Sequence, residues 1–514
     1  MRGQRRCPEA VALQRWPGGF APPGPPAGYF CREEAGKVQG MGGRVLSVAS
    51  ECVPLVKTGG LADVVGALPA ALAAVGWDMR VLIPAYRALR AEAKSWPVVL
   101  EEPDLWGGTG RVLAGEVAGV SLLLLDAQHL YDREGGPYSS TKGEYPDNAI
   151  RFAALSWVAA RIAREGLAGW KPGILHAHDW QAGLAPAYLA YHGNGGVKSV
   201  ITVHNIAFQG WSPAQMLGVL RLPGHAFHSE ALEYFGGISS LKSGLVTADW
   251  ITTVSPSYAA ELMRPEFGMG LQGVIAARGA VVSGILNGVD CGVWDPATAD
   301  PPFGAKTMAG KATARAELCA EFGLKVPGPL AIVVSRLTDQ KGIDLLPAVI
   351  PDLVAGGGGL IVLGSGEPAM EGAMRALATR FPGRVAVKIG YDETLSHRLF
   401  AGADAVLVPS RFEPCGLTQM YGLRYGTLPV VSLVGGLADT VIGVSPATLA
   451  ANAATGVTFH PVDAVALRQA LAKLLELYRQ PRLWAKVRAN AMAHPVGWEP
   501  SAAAYGGLYA RLTA

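Results

Sequence analysis

Paired cysteines, long apolar runs and any excess of charge outside the N-terminus are missing from this sequence. Its six cysteines (Cys7, Cys31, Cys52, Cys291, Cys319, Cys415) stand scattered, none in C-x-x-C spacing. That pattern offers neither a disulfide framework nor a zinc site, and a reducing cytoplasm is the expected compartment. No stretch approaches about 18 uninterrupted apolar residues, so no membrane-spanning helix is expected. The N-terminus has no apolar core of a secretory signal, and residues 1–42 hold no Ser or Thr, which speaks against a plastid transit peptide. The net charge is only +3. Six basic residues (Arg2, Arg5, Arg6, Arg15, Arg32, Lys37) against three acidic ones (Glu9, Glu33, Glu34) put all of it in residues 1–42. The neutral remainder lacks the basic stripe that a nucleic-acid surface needs. No G-x-G-x-x-G follows the first apolar run, which counts against a dinucleotide dehydrogenase. No lysine stands in a recognisable pyridoxal phosphate motif, which counts against a phosphorylase.

What is present is enough apolar material for several cores: 514 residues, half of them hydrophobic. Residues 1–42, with Pro17, Pro22, Pro23, Pro25 and Pro26 and no period, read as a disordered or spurious extension. From Arg44 a rhythm begins. RVLSVAS (44–50) is a short apolar run, a glycine loop follows, LADVVGALPAALAAVG (61–76) has helical spacing with an expected kink at Pro69, and DMRVLIPAY (78–86) is the next strand. Strand, glycine loop, helix, strand is a doubly wound βαβ unit. Apolar runs at 120–127, 173–179, 198–205, 250–256 and 281–288 continue it; without alternation, they suit strands covered on both faces. A Gly-, Pro- and Asp-rich linker spans about 288–310, and the rhythm restarts at 329–337, 359–366, 384–391, 404–411 and 428–435 before a helical end. The sequence therefore predicts two Rossmann-like halves.

In such sheets ligands sit beyond the carboxyl ends of the strands. After the first strand comes Lys57-Thr58-Gly59-Gly60, opening TGGLADVV (58–65); near the end Gly435-Gly436 opens VGGLADTV (434–441). Each loop is either a tight turn or a helix start offering amides and a positive dipole end to an anion. Arg336 and Lys341 follow the strand at 329–337 and suit a pyrophosphate, the alternative being a solvated pair. A charge-assisted hydrogen bond contributes about 1.5–3 kcal/mol, an exposed dipole interaction about 0.3–1 kcal/mol, so these two cations should dominate phosphate affinity. Glu413 precedes the helix start Cys415-Gly416-Leu417-Thr418, where it either caps the helix or accepts sugar hydroxyls. His176, His178 and Asp179 end one strand and His204 and Asn205 another; no third metal ligand is evident by spacing.

Taken in order, KTGGLADV, HAHDWQAG, HNIAFQG, TVSPSYA, EFGMGL, ILNGVD, SRLTDQKG, FEPCGLTQ and VGGLADT resemble the bacterial glycogen synthase and plant starch synthase family over about residues 44–510. The resemblance implies an α/β protein of the GT-B fold, with two Rossmann-like doubly wound domains facing one cleft. Residues 43–288 would form the acceptor domain and 289–494 the nucleotide-sugar donor domain, with a helix in 495–514 returning to the first. It implies retaining transfer of glucose from ADP-glucose to the non-reducing 4-OH of an α-1,4-glucan such as glycogen, with release of ADP. No metal, pyridoxal phosphate, nucleic acid or membrane is expected to take part. By the same resemblance His204, Arg336, Lys341 and Glu413 are the catalytic candidates: His204 beside the glucosyl group, Arg336 and Lys341 on the distal phosphate, Glu413 near the donor glucose. The substrate-binding candidates are Lys57, Gly59, Gly60, Asp63, Asp179, Asn287, Tyr391 (on the adenine), Cys415, Gly416, Leu417, Thr418, Gly435 and Gly436. Two departures stand out. Val434 replaces the family's usual Thr, which puts phosphate affinity in question, and Tyr421 stands where more distant GT-B enzymes carry a second Glu.

Overall fold

Buried, β-branched runs form the centre of two parallel sheets in the computed structural model, which describes residues 42–514. The expected extension at 1–42 falls almost wholly outside the described residues. The first sheet has nine strands in the order Val282–Gly284, Trp250–Thr253, Lys198–Val203, Ile174–His178, Arg44–Val48, Asp78–Pro84, Val120–Asp126, Gly110–Val117, Val98–Glu102. All neighbours pair in parallel except the last two, which close the edge as an antiparallel hairpin. The second sheet has six parallel strands in the order Val385–Ile389, Gly359–Gly364, Leu330–Val334, Ala405–Val408, Leu428–Ser432, Val457–Phe459. Residues such as Val45, Leu46, Val48, Ile332, Leu360 and Val430 have no exposed surface, as strands covered by helices on both faces require.

Each sheet reverses its winding beside its first strand. Arg44–Val48 lies between Ile174–His178 and Asp78–Pro84, and Leu330–Val334 lies between Ala405–Val408 and Gly359–Gly364. A crevice opens at the carboxyl ends of strands on either side of such a switch point. The loops that meet there are therefore the KTGG and HAHDW loops in one lobe and the SRLTDQK and FEPCG loops in the other.

The helix Gly60–Ala73 carries Pro69 in its interior. Trp294, from the linker, stacks between His397 at 3.9 Å and Tyr421 at 3.6 Å, so that segment is anchored into the second lobe. The chain then returns: the last helix, Glu499–Thr513, buries Tyr505, Leu508 and Tyr509 against Val45, Leu68, Trp77 and Ile174 of the first lobe. The edge hairpin, a three-stranded sheet (Trp211–Pro213, Gly237–Ser239, Glu233–Tyr234) and the strand Val457–Phe459 have no counterpart in the sequence reading. No helix among the described residues is long and apolar enough to cross a membrane.

Candidate active site

The first glycine loop is built on a buried acid. Glu51 follows the strand Arg44–Val48 and is almost fully buried, which a carboxylate tolerates only when well paired. Its partners are the Thr58 backbone N–H and hydroxyl, each at 2.5 Å, the Gly59 N–H at 3.3 Å and the Tyr138 hydroxyl, which also contacts Ser50 Oγ at 2.8 Å. Two of the loop's amides are thus taken up inside the protein. Its outer surface stays open: a Cβ built at Gly59 or Gly60 would meet no atom within 4 Å. Lys57 Nζ lies on the rim, 2.8 Å from Asp63 Oδ1. Burial raises the Asp63 carboxyl, Lys57 opposes that, and the Glu393 carboxylate of the second lobe adds to it. The Glu393 hydrogen bond raises the Tyr391 hydroxyl and burial raises that of Tyr421, with Asp63 adding to both. The first loop and the Tyr391–Glu393 segment of the second lobe thus lie within electrostatic reach of each other.

The strand Ile174–His178 delivers Asp179 at φ +54, the left-handed region that a non-glycine residue occupies only under constraint. The constraint is visible: Asp179 Oδ1 accepts the His204 N–H at 2.7 Å and the Asn205 N–H at 3.3 Å, fixing the turn that carries the His204 ring. Burial pushes the Asp179 carboxyl up to about 7, with the two backbone donors pulling the other way. The nitrogens of His176 are taken by Thr202 and Tyr509 and those of His178 by Ser47 and His204, so neither ring has a free lone pair to offer a metal. Asn287 is buried, and its side-chain oxygen has no partner.

In the second lobe the loops after Leu330–Val334 and Ala405–Val408 are laced together. The Arg411 N–H reaches the Gln340 carbonyl at 2.8 Å, and Gly342, at φ +65, lies so close that a Cβ would stand 2.1 Å from the Pro409 oxygen. This lacing brings Lys341 Nζ to 2.5 Å from Glu413 Oε2, with side chains 17% and 9% exposed. Glu413 also accepts the Ser410 hydroxyl at 2.9 Å. Arg336 bonds only Gln340, at 3.1 Å, and has no carboxylate partner among the described residues. Gly416, at φ +72, turns the chain into the helix Thr418–Tyr425, preceded by Cys415 and Leu417. Burial pushes the Cys415 thiol up to about 12, opposed by a hydrogen bond from the Asn287 backbone, which joins the FEPCG and LNGVD segments. Tyr391 is 79% exposed, its hydroxyl held by Glu393 at 2.6 Å.

The second glycine loop differs from the first. Gly435 donates to Glu261 of the first lobe at 2.8 Å, and Gly436 to the carbonyls of Glu413 and Pro414 at 3.0 and 3.2 Å. Ser257 N–H and hydroxyl reach Asp439 at 2.8 and 2.7 Å, and the Ser255 hydroxyl reaches the Pro414 carbonyl at 2.6 Å. These amides, expected to face a ligand, are spent on the joint between the lobes and on the backbone of the Glu413 loop. Glu51, Tyr138 and Glu261 escaped the sequence reading. An acid directly after a central strand signals Glu51; nothing local marks Glu261, which lies 174 residues from its partner.

Two such lobes, with a cation-rich loop and a buried acid at the shared cleft, define a GT-B glycosyltransferase. The starch synthase catalytic domain model matches residues 44–277, and the model of glycosyl transferases group 1 matches residues 315–491. The chain is 68% identical over 473 residues to a glycogen synthase of Cereibacter sphaeroides (strain ATCC 17025 / ATH 2.4.3), covering 92% of this chain and 99% of that protein. It is 57% identical to a glycogen synthase of Paracoccus denitrificans (strain Pd 1222), covering 92% and 100%. The chain belongs to the glycogen synthase family. Among solved structures it resembles the catalytic domain of starch synthase IV from Arabidopsis thaliana bound to ADP and acarbose, with a TM-score of 0.82 and 29% identity, covering 92% of this chain and 100% of that one. A sucrose-phosphate synthase from Thermosynechococcus elongatus, at 21% identity and a TM-score of 0.58 over 91% and 99% of the two chains, shares the fold.

Proposed function

We propose that this protein transfers glucose from ADP-glucose to the non-reducing 4-OH of an α-1,4-glucan, with retention at C1 and release of ADP, in the cytoplasm. On this reading 43–288 is the acceptor lobe, 289–494 the donor lobe, and the helix within 495–514 ties the end of the chain to the acceptor lobe. The observation that carries it is the Lys341–Glu413 pair beside the unpaired Arg336, at the carboxyl ends of the second lobe's strands. Breaking the C1–O bond leaves negative charge on ADP and positive character on the glucosyl ring. Arg336 and Lys341 take up the first, and preorganised charges of this kind act without reorganising in the transition state. Glu413, already holding Lys341, lies where it steadies the second, with His204 on the opposite lobe. The acceptor hydroxyl attacks on the leaving-group side, and a phosphate oxygen takes its proton. Tyr391, exposed on the donor side, is the platform for the adenine; Lys57 and Asp63 form the facing rim; Asn287 lines the site from the segment joined to the FEPCG loop. Closure of the lobes excludes the water that would hydrolyse the donor.

Incubating the purified protein with glycogen and either ADP-glucose or UDP-glucose tests this directly. Release of ADP with elongation of the glucan is expected, with ADP-glucose the faster donor. No glucan-dependent release of ADP, or a preference for UDP-glucose, overturns the assignment.

A further inference from the structure

His204 is held from behind by another imidazole. Its Nε2 lies 3.0 Å from His178 Nδ1, and His178 Nε2 lies 3.1 Å from Ser47 Oγ. Ser47, on the strand Arg44–Val48, and His178, at the end of the adjacent strand Ile174–His178, have no exposed surface. Burial pushes His204 down to about 3 and His178 well below the usual histidine range, so both rings are neutral and each carries one N–H.

A contact between two neutral imidazole nitrogens has one donor and one acceptor, which leaves two arrangements for the chain. In one, the Ser47 hydroxyl donates to His178 Nε2, His178 Nδ1–H donates to His204 Nε2, and His204 carries its proton on Nδ1. In the other every bond reverses. Ser47 then accepts, and its own hydroxyl hydrogen needs a second acceptor. Among the described residues Ser47 Oγ has no other partner, and a buried donor left unmade is costly. Only the first arrangement strands no hydrogen. His204 Nδ1 has no protein partner and is not among the buried polar atoms sealed from a partner, so its N–H remains available.

We propose that Ser47 and His178 are positioning residues that lock His204 as its Nδ1–H tautomer, so that it meets the substrate as a hydrogen-bond donor. This rests on the reading of the cleft as a glucosyl-transfer site and names the chemistry taken at His204: a sugar oxygen that accepts a hydrogen bond. It also removes His204 as general base toward the acceptor hydroxyl, because the nitrogen that faces substrate already bears the proton.

The test combines three variants with one spectroscopic readout. His178→Asn keeps an amide N–H near the Nδ1 position and is expected to keep most of the activity. His178→Gln places its amide toward Ser47 instead and is expected to lower kcat by about 10- to 100-fold, the usual cost of losing an orienting partner, with KM for ADP-glucose little changed. Ser47→Ala frees both arrangements and should give a smaller loss in kcat. Nitrogen-15 NMR of labelled histidine, with His204 assigned by His204→Gln, should show the proton on Nδ1 in the wild type and a mixture in Ser47→Ala. A wild-type His204 protonated on Nε2, or a folded His178→Gln with wild-type kcat, overturns the proposal. Should His178→Gln not fold, Ser47→Ala and the wild-type spectrum still decide. A wild type that does not turn over ADP-glucose sinks the proposed function instead, and the spectrum then reads the tautomer alone.

Discussion

TGGLADVV at 58–65 and VGGLADTV at 434–441 are nearly the same octapeptide folded to different ends. Both start a helix, and in both a glutamate from elsewhere takes amide hydrogens of the loop: Glu51 in the first, Glu261 in the second. They part on the other face. Gly59 and Gly60 look onto open space, whereas a Cβ at Gly435 would stand 2.1 Å from the Glu413 carbonyl and one at Gly436 2.1 Å from that of Cys415. The aspartates divide likewise: Asp63 pairs with Lys57 on the cleft rim, Asp439 with Ser257 in the joint between lobes. Glycine in the first copy leaves room for something not part of the chain. Glycine in the second is required by the chain itself. The shared octapeptide gives a helix start in both places, and the neighbours decide whether its glycines face open space or brace the Glu413 loop.

Alanine scanning of the two copies should break the symmetry most visibly. Gly436→Ala must push the Cys415 backbone aside and with it the loop that carries Glu413. Overpacking of this kind costs about 1–3 kcal/mol or more, so a lowered melting temperature and a loss of more than about 10²-fold in kcat are expected. Gly60→Ala, on the open side, should fold normally and gain about 0.4–1 kcal/mol from the stiffer unfolded chain, with any penalty confined to KM for ADP-glucose. Equal losses of stability in the two variants would erase the distinction.

Lys341→Ala removes charge from the loop that the second copy braces, leaving the fold in place. A drop of at least about 10²-fold in kcat, or about 2.7 kcal/mol, is expected, together with a lower melting temperature, because the nearly buried Glu413 is left without its cation. Activity within a few-fold of wild type would remove Lys341 from the mechanism and shift the weight to Arg336.

The lobes also differ in how they hold their polar groups, and pH separates them. The second lobe uses an ion pair, Lys341–Glu413. The first keeps its ion pair, Lys57–Asp63, on the rim and holds buried histidines and a carboxyl, Asp179, raised to about 7 by burial, further in. Because the folded value exceeds the ordinary carboxylate value of about 3.9, the stabilising contribution is complete below about pH 4 and is lost as pH rises through about 7. Asp179→Asn keeps an oxygen for the His204 and Asn205 amides but cannot ionise. Its melting temperature relative to wild type should therefore improve between pH 5 and pH 8, by the equivalent of about 2 kcal/mol. A difference independent of pH would mean that Asp179 stays charged throughout.

Parallel strands were legible because unbroken apolar runs such as AIVV at 331–334 and LIVL at 360–363 can only be covered on both faces. Val98–Glu102 and Trp211–Pro213 were not: the first is a half-exposed edge strand whose apolar run stops after three residues, and the second is a short element tied to Gly237–Ser239. The site was legible as a set of loops, since strand ends and glycines mark them. Where each amide goes was not legible: Glu51 binds within its own loop but takes Tyr138 from 87 residues away, and Glu261 meets Gly435 only because the lobes pack together. His178 shows the same limit: its motif was plain, its place between Ser47 and His204 was not.

Val434 is the smallest lever on the comparison and the most diagnostic. It holds the N-cap position of the helix Gly435–Thr440, buried and without a side-chain cap. If the second copy faced the phosphates, the threonine usual in the family would add a ligand contact, and Val434→Thr should tighten KM for ADP-glucose. In the arrangement seen, the new hydroxyl stands at the N-cap of its own helix. A capping gain of about 1 kcal/mol is opposed by burying the hydroxyl and by the prior engagement of Gly436 with Glu413 and Pro414. The expected result is a stability change below about 1 kcal/mol and a KM within about twofold, or about 0.4 kcal/mol, of wild type. A tenfold fall in KM would return the second glycine loop to the ligand and leave only the first copy's geometry as described.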